Sequence, residues 1–396
     1  METQTSESNS TEVKEEGSNG VALMSDESLK ASSEKDDQGD QPDAPASGSA
    51  ENVEKTEAAA ESQNGGTMRT LVAIGDLHGD FYRLERLLRE SDLLLPGTTA
   101  WNPSQAHVDL ILIGDYVDWR NEALEGPSDE WPLGSRRILE LIFSLHREID
   151  QLRKDDPSFT SRIFSILGNH DEMMLEAHQI FSFVELDELD RFLSSVGHSI
   201  QVKQIVQQLG VTPSQVEKVL KFLNWYVQGG QSTIQGYTGL RQWKEEMDGE
   251  MGDFLRQYLR LGVVVNHRLF AHTVPDYREF WRPIEDIVGL PESSYRRAKE
   301  AFLWSRKVWG YDYCTGSRTA PFSAEEIDEM LAGMGVDGMV VGHTPLPHDG
   351  KPVIAHGGRV INIDLHAFPG SEALIQSYEP SGNGHSAPLR DLTRGR

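Results

Sequence analysis

The sequence is poor in cysteine and has no long apolar run. Its 396 residues contain a single cysteine, Cys314, so no internal disulfide can form and no Cys-His zinc spacing can be built. No apolar stretch approaches the roughly 20 residues that a membrane-spanning helix needs. The acid-rich start matches neither a secretory signal nor a transit peptide. We therefore expect a cytoplasmic protein with no membrane partner.

The first 67 residues contain almost no aromatic or large aliphatic side chains. They include 16 acids and 4 lysines, so this segment carries −12 of the formal net charge of −26 and the remainder carries −14. A segment with so little apolar surface cannot offset the entropy lost on folding. We predict that residues 1–67 form a disordered acidic tail and that residues 381–396 form a flexible C-terminal tail. Because both parts of the chain are acidic, nucleic acid is not an expected partner.

Short apolar runs begin after Met68, and each ends in a glycine followed by an acid or in a histidine. The five runs are TLVAIGDLHGD, VDLILIGDYVD, RIFSILGNHDE, RLFAHTVPD and GMVVGHTP. Near-continuous apolar runs bounded by polar turns are typical of strands buried on both faces. A helical pattern follows Asp80, with Phe81, Leu84 and Leu88 on one face. This alternation of strands and helices predicts a layered α/β core within residues 68–380.

Residues 172–260 have helical patterns and few strand signals. The stretch TPSQVEKVLKFL places Thr212 at a helix N-cap and Pro213 at the first helical position. We predict a helical insertion or cap beside the core, followed by the strands of RVINIDLHAF and EALIQSY, which close the sheet. Because the five apolar runs lie on both sides of this region and their polar ends must converge, we expect one catalytic domain.

Side chains that can bind metal ions stand at the ends of all five predicted strands. Taken singly, an acid there is an ordinary helix N-cap and a histidine an ordinary structural residue. Five strand ends that all finish this way are better explained by one metal site, since such loops project into a common crevice. Carboxylate, imidazole and amide ligands without sulfur suit manganese, iron, zinc or magnesium. The candidates are Asp76, His78, Asp115, Asn169, His170, His272 and His343.

The blocks GDLHGD, GDYVD, GNHDE, FAH and VVGHTP, in this order, resemble the five signature blocks of the calcineurin-like metallophosphoesterases, and more closely those of the phosphoprotein phosphatase branch. WYVQGGQSTIQGYTG and FLWSR are similar to segments of the bacterial-type members, which include Shewanella-like phosphatases and diadenosine tetraphosphate hydrolases. The resemblance spans about residues 68–378. It implies an α/β (α+β) fold, a four-layer β-sandwich flanked by helices.

The resemblance also implies a role for each candidate ligand. Two divalent ions, manganese being favoured over iron, zinc or magnesium, would share the bridging carboxylate of Asp115. Asp76 and His78 would hold one ion. The other ion would be held by Asn169, His272 and His343. Such a pair would clamp a phosphoryl group and supply a hydroxide that attacks it in line.

Two further residues are expected to serve the leaving group. His170 would meet the leaving oxygen as a general acid or as a positive charge, because its unperturbed pKa suits that role. Asp118 would orient His170.

The sequence departs from the branch pattern at two places. Where Asp-Arg-Gly is usual, this chain has Asp118-Trp119-Arg120, and an indole cannot fork two hydrogen bonds onto a phosphate. We favour Arg306 of LWSR as the phosphate-binding residue, with Arg120 as a helper. Trp119 either lines the cleft and stacks on an aromatic leaving group, or it packs under a loop. Thr273 stands where a glycine usually follows the fourth block, which narrows the second metal site or reshapes its loop.

Three functions are compatible with these residues. The first is hydrolysis of phosphomonoesters in phosphorylated proteins, at serine, threonine or tyrosine. The second is hydrolysis of dinucleoside polyphosphates or other small phosphoesters. The third is a phosphate-binding scaffold that keeps the metals and has lost turnover through Trp119 and Thr273.

Overall fold

The computed structural model describes residues 68–119, 123–195, 202–312, 315, 317–365, 368, 370–380 and 385–388. The predicted acidic tail, residues 1–67, lies outside the described residues, as do Arg120 and Cys314. Within the part that is described, no helix is both long and apolar enough to cross a bilayer.

The described residues contain ten β-strands that are joined by hydrogen bonds in one mixed sheet. The strands are β1 (Arg69–Ile74), β2 (Val108–Leu112), β3 (Arg162–Ile166), β4 (Leu259–Val265), β5 (Arg268–Ala271), β6 (Gly338–Val341), β7 (Val353–Ala355), β8 (Val360–Asn362), β9 (Leu374–Tyr378) and β10 (His385–Pro388). Their order is β7-β8-β6-β5-β4-β3-β2-β1-β9, with β10 also paired to β4. The five predicted apolar runs correspond to β1, β2, β3, β5 and β6.

The sheet divides into two halves at β4. Its first two residues, Leu259 and Arg260, pair in parallel with β3. From Arg260 to Val264, β4 pairs with β10 in the antiparallel sense, while β5 pairs along its opposite edge. Four residues of the predicted C-terminal tail therefore form a strand, and one half of the sheet runs from β9 to β3 while the other runs from β5 to β7.

Twelve α-helices surround the sheet in the described chain. They are α1 (Phe81–Glu90), α2 (Gly134–Asp155), α3 (Asn169–His178), α4 (Leu186–Ser195), α5 (Val202–Leu209), α6 (Pro213–Trp225), α7 (Gln231–Gly236), α8 (Leu240–Asp248), α9 (Glu250–Tyr258), α10 (Ile284–Val288), α11 (Glu292–Trp304) and α12 (Ala324–Met334). A π-helical turn, Tyr226–Gly230, joins α6 to α7. Within the predicted region 172–260, the described residues form helices and their connections as far as Tyr258, and Leu259 and Arg260 belong to β4.

The helix starts follow the capping residues in the sequence. Asp80 caps α1, and its carboxylate accepts the N–H of Arg83 at 3.1 Å. Thr212 and Gln215 form a capping box at the start of α6, with Pro213 at the first helical position as predicted.

Three apolar clusters separate four layers of structure. Alternate residues of β1 face different clusters, since Val72 packs toward α1 and α2 whereas Leu71 packs between the sheet halves. The cluster between the halves also contains Val263 of β4 and Val340 of β6. A third cluster packs Met339 and its neighbours against α10, α11 and α12. Helices, half-sheet, half-sheet and helices form the four layers, which confirms the predicted fold class.

Candidate metal centre

The loops that follow β1, β2, β3, β5 and β6 meet at one place, and they bring together every metal ligand predicted from the sequence. All of these side chains are buried, with at most 4% of their surface exposed. They are Asp76, His78, Asp115, Asn169, His170, His272 and His343.

Asp115 lies at the centre of this cluster. Its Oδ2 atom is 3.5 Å from Nε2 of His78 on one side and 3.5 Å from Nε2 of His272 on the other. Two groups of possible ligands, each with atoms within 4.8 Å of one another, share this carboxylate: His78, Asp115 and His170, and Asp115, His272 and His343. A carboxylate common to two groups is the arrangement that a bridging ligand requires.

Asp76 belongs to the cluster through the backbone of the loop after β6. Its carboxylate accepts the N–H of His343, at 3.0 Å to Oδ2 and 3.2 Å to Oδ1. Gly342 permits this approach, because a Cβ there would stand 2.0 Å from Oδ1 of Asp76. Likewise, a Cβ on Gly168 would stand 2.1 Å from Oδ1 of Asp115. The glycines that precede Asn169 and His343 in the sequence are thus required by the packing of the two carboxylates.

The backbone of the site is held in an uncommon conformation. Nine described residues other than glycine have a positive φ, and four of them carry site side chains: His78 (43°), Asp115 (51°), Asp118 (72°) and His343 (66°). Such left-handed conformations cost free energy in residues with a Cβ and are found where function requires them.

The loop that carries Asp115 is fixed by Asp171, which sequence reasoning missed. The buried carboxylate of Asp171 accepts three backbone N–H groups, those of Asp115 at 2.8 Å, Tyr116 at 3.0 Å and Gly168 at 2.9 Å. Asp171 follows Asn169 and His170 in the GNHDE block, and an acid in the first turn of a helix is its only signal in the sequence. It positions two strand-end loops without being a candidate ligand itself.

The electrostatics of the cluster favour a bound cation. Burial raises the pKa of Asp76 well above its usual value, and the nearby charges of Asp364 and Asp115 raise it further. Burial lowers the pKa of His272, and it lowers that of His343 well below the usual value, with the neighbouring His272 and Arg306 adding to the effect. The carboxylates therefore repel one another while the imidazoles of His272 and His343 are neutral, which is the protonation state of a histidine that binds a metal.

The tautomer of His272 also favours a bound cation. Its Nδ1 lies 3.1 Å from the carbonyl oxygen of Ile113, so Nδ1 carries the proton of the neutral ring and Nε2 carries a lone pair. This Nε2 faces Oδ1 of Asn169 at 2.9 Å and Oδ2 of Asp115 at 3.5 Å. Three acceptor atoms thus converge in a buried space, an arrangement that a divalent cation stabilises. The donor set fits a metal with oxygen and nitrogen ligands.

His170 lies beside Asp118, the residue expected to orient it. The distance from Nδ1 of His170 to Oδ2 of Asp118 is 2.9 Å. The other oxygen of Asp118 accepts from Nε1 of Trp225 at 3.1 Å and from the hydroxyl of Thr233 at 2.8 Å. Burial raises the pKa of Asp118, although the hydrogen bond from His170 opposes this. Trp225 and Thr233 were not predicted, but both lie in the segment WYVQGGQSTIQGYTG that carried part of the resemblance.

Arg306 lies beside the second group of ligands. Its Nε donates to Nε2 of His343 at 3.1 Å, and its guanidinium reaches the carbonyl oxygen of His343 at 3.4 Å. Arg306 is half-buried, so the guanidinium is partly accessible. The predicted helper, Arg120, lies outside the described residues. Trp119 is half-buried and packs edge to face on Trp131, with ring centroids 5.7 Å apart.

A four-layer α/β fold with buried acids and histidines at converging strand ends defines a class of metal-binding hydrolases. A model of the calcineurin-like phosphoesterase family matches residues 69–347, and the chain belongs to this family. It is therefore a phosphoesterase, as the sequence motifs predicted. Among curated proteins, none matches the sequence.

Several solved structures align with most of this chain at low identity. A cold-active protein-tyrosine phosphatase of a psychrophilic Shewanella species has 16% identity and a TM-score of 0.44, with 79% of this chain and 76% of that chain covered. A protein serine/threonine phosphatase from Saccharomyces cerevisiae has 14% identity and a TM-score of 0.34, with 80% and 81% covered. A putative diadenosine tetraphosphatase has 15% identity and a TM-score of 0.32, with 83% and 97% covered. These values are low, and the assignment rests on the family match.

Proposed function

We propose that this chain hydrolyses phosphomonoesters with two divalent metal ions, and that its substrates are phosphorylated serine, threonine or tyrosine residues of proteins. The observation that carries this proposal is the position of Asp115, whose carboxylate belongs to two groups of buried ligands at once. Two ions held by one carboxylate are the arrangement used to hydrolyse phosphoesters without a covalent intermediate.

The ligands divide between the two ions around Asp115. Asp76 and His78 would hold one ion. Asn169, His272 and His343 would hold the other. Manganese suits this oxygen and nitrogen set, with iron, zinc and magnesium as alternatives. When bound, the pair of cations supplies neutralisation of the phosphoryl charge and an activated water.

Arg306 would bind the phosphate of the substrate. A guanidinium can fork two hydrogen bonds onto phosphate oxygens. Its present partners are the imidazole and the carbonyl oxygen of His343, so the guanidinium already stands against the second group of ligands.

His170 would serve the leaving group. Because Asp118 fixes Nδ1, the ring presents Nε2 toward the cluster, where His78 stands 4.9 Å away between ring centroids. The buried Asp118 carboxylate fixes the orientation of this ring. His170 can therefore hold a proton for the leaving alkoxide or phenolate. General acid catalysis of this kind contributes about 10²–10⁴-fold in rate.

The alternative of a scaffold that has lost turnover is weakened by the surroundings of Thr273. That alternative rested in part on Thr273 replacing a glycine beside His272. The hydroxyl of Thr273 donates to the carbonyl oxygen of Ser305 at 2.7 Å, pointing into a buried network. His272 keeps its contacts to Asn169 and Asp115. The threonine therefore does not displace the candidate ligand.

The test combines elemental analysis of bound metal with turnover of para-nitrophenyl phosphate, phosphopeptides and diadenosine tetraphosphate. We expect about two metal ions per chain and phosphomonoester turnover. Turnover of phosphopeptides should be lost in His170→Ala, while turnover of para-nitrophenyl phosphate should fall much less because nitrophenolate leaves without a proton. Arg306→Ala should strongly reduce turnover of both. Arg296→Ala, at an exposed arginine of α11, is the matched control. Two metals without turnover would refute the enzyme, and a preference for the dinucleotide by orders of magnitude would replace the proposed substrate class.

A further inference from the structure

Thr273, the residue after His272, makes two hydrogen bonds to the segment that precedes Arg306. The N–H of Thr273 donates to the carbonyl oxygen of Phe302 at 3.1 Å, and its hydroxyl donates to that of Ser305 at 2.7 Å. Thr273 and Ser305 are fully buried, at 0% and 1% exposure. The loop that carries a candidate metal ligand is therefore connected directly to the segment that carries the candidate phosphate-binding arginine.

Asp276, three residues further along the same loop, bonds to both sequence neighbours of Arg306. Its carboxylate accepts the hydroxyl of Ser305 and the backbone N–H of Lys307. The carbonyl oxygen of Arg306 itself accepts the N–H groups of Trp309 at 3.0 Å and Tyr311 at 3.3 Å. The backbone of Arg306 is thus fixed from both sides.

The hydrogen bonds of Thr273 and Asp276 fix a segment that lies beyond the end of helix α11. Helix α11 ends at Trp304, and Arg306 has non-helical angles, φ −130° and ψ 7°. Without regular hydrogen bonding, the direction of the Arg306 side chain depends on the local contacts of its backbone. Positioning a phosphate-binding group to within a fraction of an ångström requires such supporting contacts.

We propose that Thr273 and Asp276 are positioning residues that hold Arg306 in its phosphate-binding place and couple it to the His272 loop. The proposal rests on the function proposed above for Arg306. It gives the threonine at this position a role of its own, since glycine would offer the same N–H but no hydroxyl for Ser305.

The protonation of Asp276 adds a dependence on pH. The pKa of Asp276 is raised to about 6, mainly by burial and to a smaller extent by the charge of Asp312, while the N–H and the charge of Lys307 oppose the rise. Protonation removes the negative charge that attracts Lys307 and converts one carboxylate oxygen into a donor, so the hydrogen bonds from Ser305 and from the Lys307 N–H are weakened or rearranged. Phosphate binding should therefore weaken as the pH falls through about 6.

The experiment measures kcat, KM and the inhibition constant of inorganic phosphate for the manganese-loaded full chain. In Thr273→Val we expect KM and the phosphate constant to rise about 3- to 10-fold, the effect of one buried hydrogen bond, with kcat and metal content changed less. Thr273→Ser should restore binding because it keeps the hydroxyl. Thr98→Val, at an exposed threonine before β2, is the matched control.

A double variant separates positioning from general damage. If Thr273 acts through Arg306, then Thr273→Val should have no further effect on phosphate binding in the Arg306→Ala background. An effect of the same size in both backgrounds would overturn the proposal, as would a Thr273→Ser variant as weak as Thr273→Val.

Asp276→Asn provides the second, independent variant. The ratio of its phosphate constant to that of the parent should be above one near pH 7 and should approach one as the pH falls through about 6. Because phosphate titrates equally in both measurements, its own titration cancels in the ratio. A ratio that does not change with pH would overturn the proposed role of Asp276. If the parent shows no turnover, calorimetric phosphate binding to the same variants still tests the positioning, so the two proposals fail separately.

Discussion

Strand β2 has a buried acid near each end, and the two acids have opposite surroundings. Asp109, near its start, is fully buried and bonded by Arg69 at 2.8 and 2.7 Å and by Arg162 at 2.7 Å. Burial alone would raise the pKa of Asp109, but the hydrogen bonds and charges of the two arginines lower it below its usual value. The negative charge of Asp109 is therefore balanced by arginine side chains of the protein itself.

At the other end of β2, Asp115 and the acids that follow the neighbouring strands in the candidate metal centre are grouped with one another. Burial and the charges of Asp364 and Asp115 raise the pKa of Asp76. The buried arginine nearby, Arg83, donates to the carbonyl oxygen of Asp76 at 2.6 Å and to the hydroxyl of Ser371 at 2.8 Å. A buried acid matched by arginine stabilises the fold, whereas a buried group of mutually repelling acids is organised for a cation from outside.

The strongest test of this comparison exchanges one oxygen for nitrogen at each end of β2. Asp115→Asn should lower turnover by more than about 100-fold, since changes outside the ligand set already cost 10–100-fold, and should lower metal content. Asp109→Asn should keep the metal content but destabilise the fold by about 3–5 kcal/mol, because it leaves buried arginine charge unmatched. Urea unfolding and elemental analysis measure both effects. Equal loss of metal in the two variants would remove the distinction.

Asp118 is an acid of the site whose carboxylate is paired with a protein side chain, that of His170. His170→Gln should lower turnover of a phosphoserine peptide by about 10²–10⁴-fold. The loss on para-nitrophenyl phosphate should be much smaller, because nitrophenolate departs without a proton. Metal content, measured in parallel, should stay at the parent value. A uniform loss on both substrates together with loss of metal would show instead that His170 is a ligand, which its place in the first group of candidate ligands allows.

Arg306 tests whether the site needs a guanidinium or only a positive charge. Arg306→Lys keeps the charge but loses the fork, so we expect KM for a phosphopeptide to rise about 10-fold or more while kcat changes less. The same substitution at the exposed Arg296 is the control. An unchanged KM in Arg306→Lys would show that charge alone suffices.

The sequence was enough to find the candidate ligands that the structure brings together, but it did not reveal the groups that hold them. Asp76, Asp115 and His343 each follow a short apolar strand, so a local pattern was enough to find them. Trp225 and Thr233 are separated from Asp118 by more than a hundred residues, and only the packing of the π-helical turn beside the sheet brings them together. Strand β10 was missed for the same reason, because its pairing with β4 and not its composition makes it a strand.

The smallest expected effect, and the one that addresses both Asp109 and the candidate metal centre in a single experiment, is the dependence of stability on pH. The pKa of Asp76 is raised in the folded state above the usual 3.8, so its contribution to stability is present below that value and is lost as the pH rises through the raised pKa. The pKa of Asp109 is lowered, so its contribution is present above 3.8 and is lost as the pH falls through the lowered pKa.

With metal removed by a chelator, the free energy of unfolding should therefore decrease as the pH is raised from 3.8 through the raised pKa of Asp76. Added manganese should flatten or reverse that decrease, because the cation replaces the proton that the acids otherwise take up. In Asp109→Asn, the loss of stability at acid pH that the Asp109 carboxylate causes should disappear. The response to manganese should remain. Urea unfolding across a pH series, with chelator and with manganese, measures both. A chelated protein that becomes more stable as the pH rises through this range would mean that the acids of the metal centre are matched within the fold, as Asp109 is.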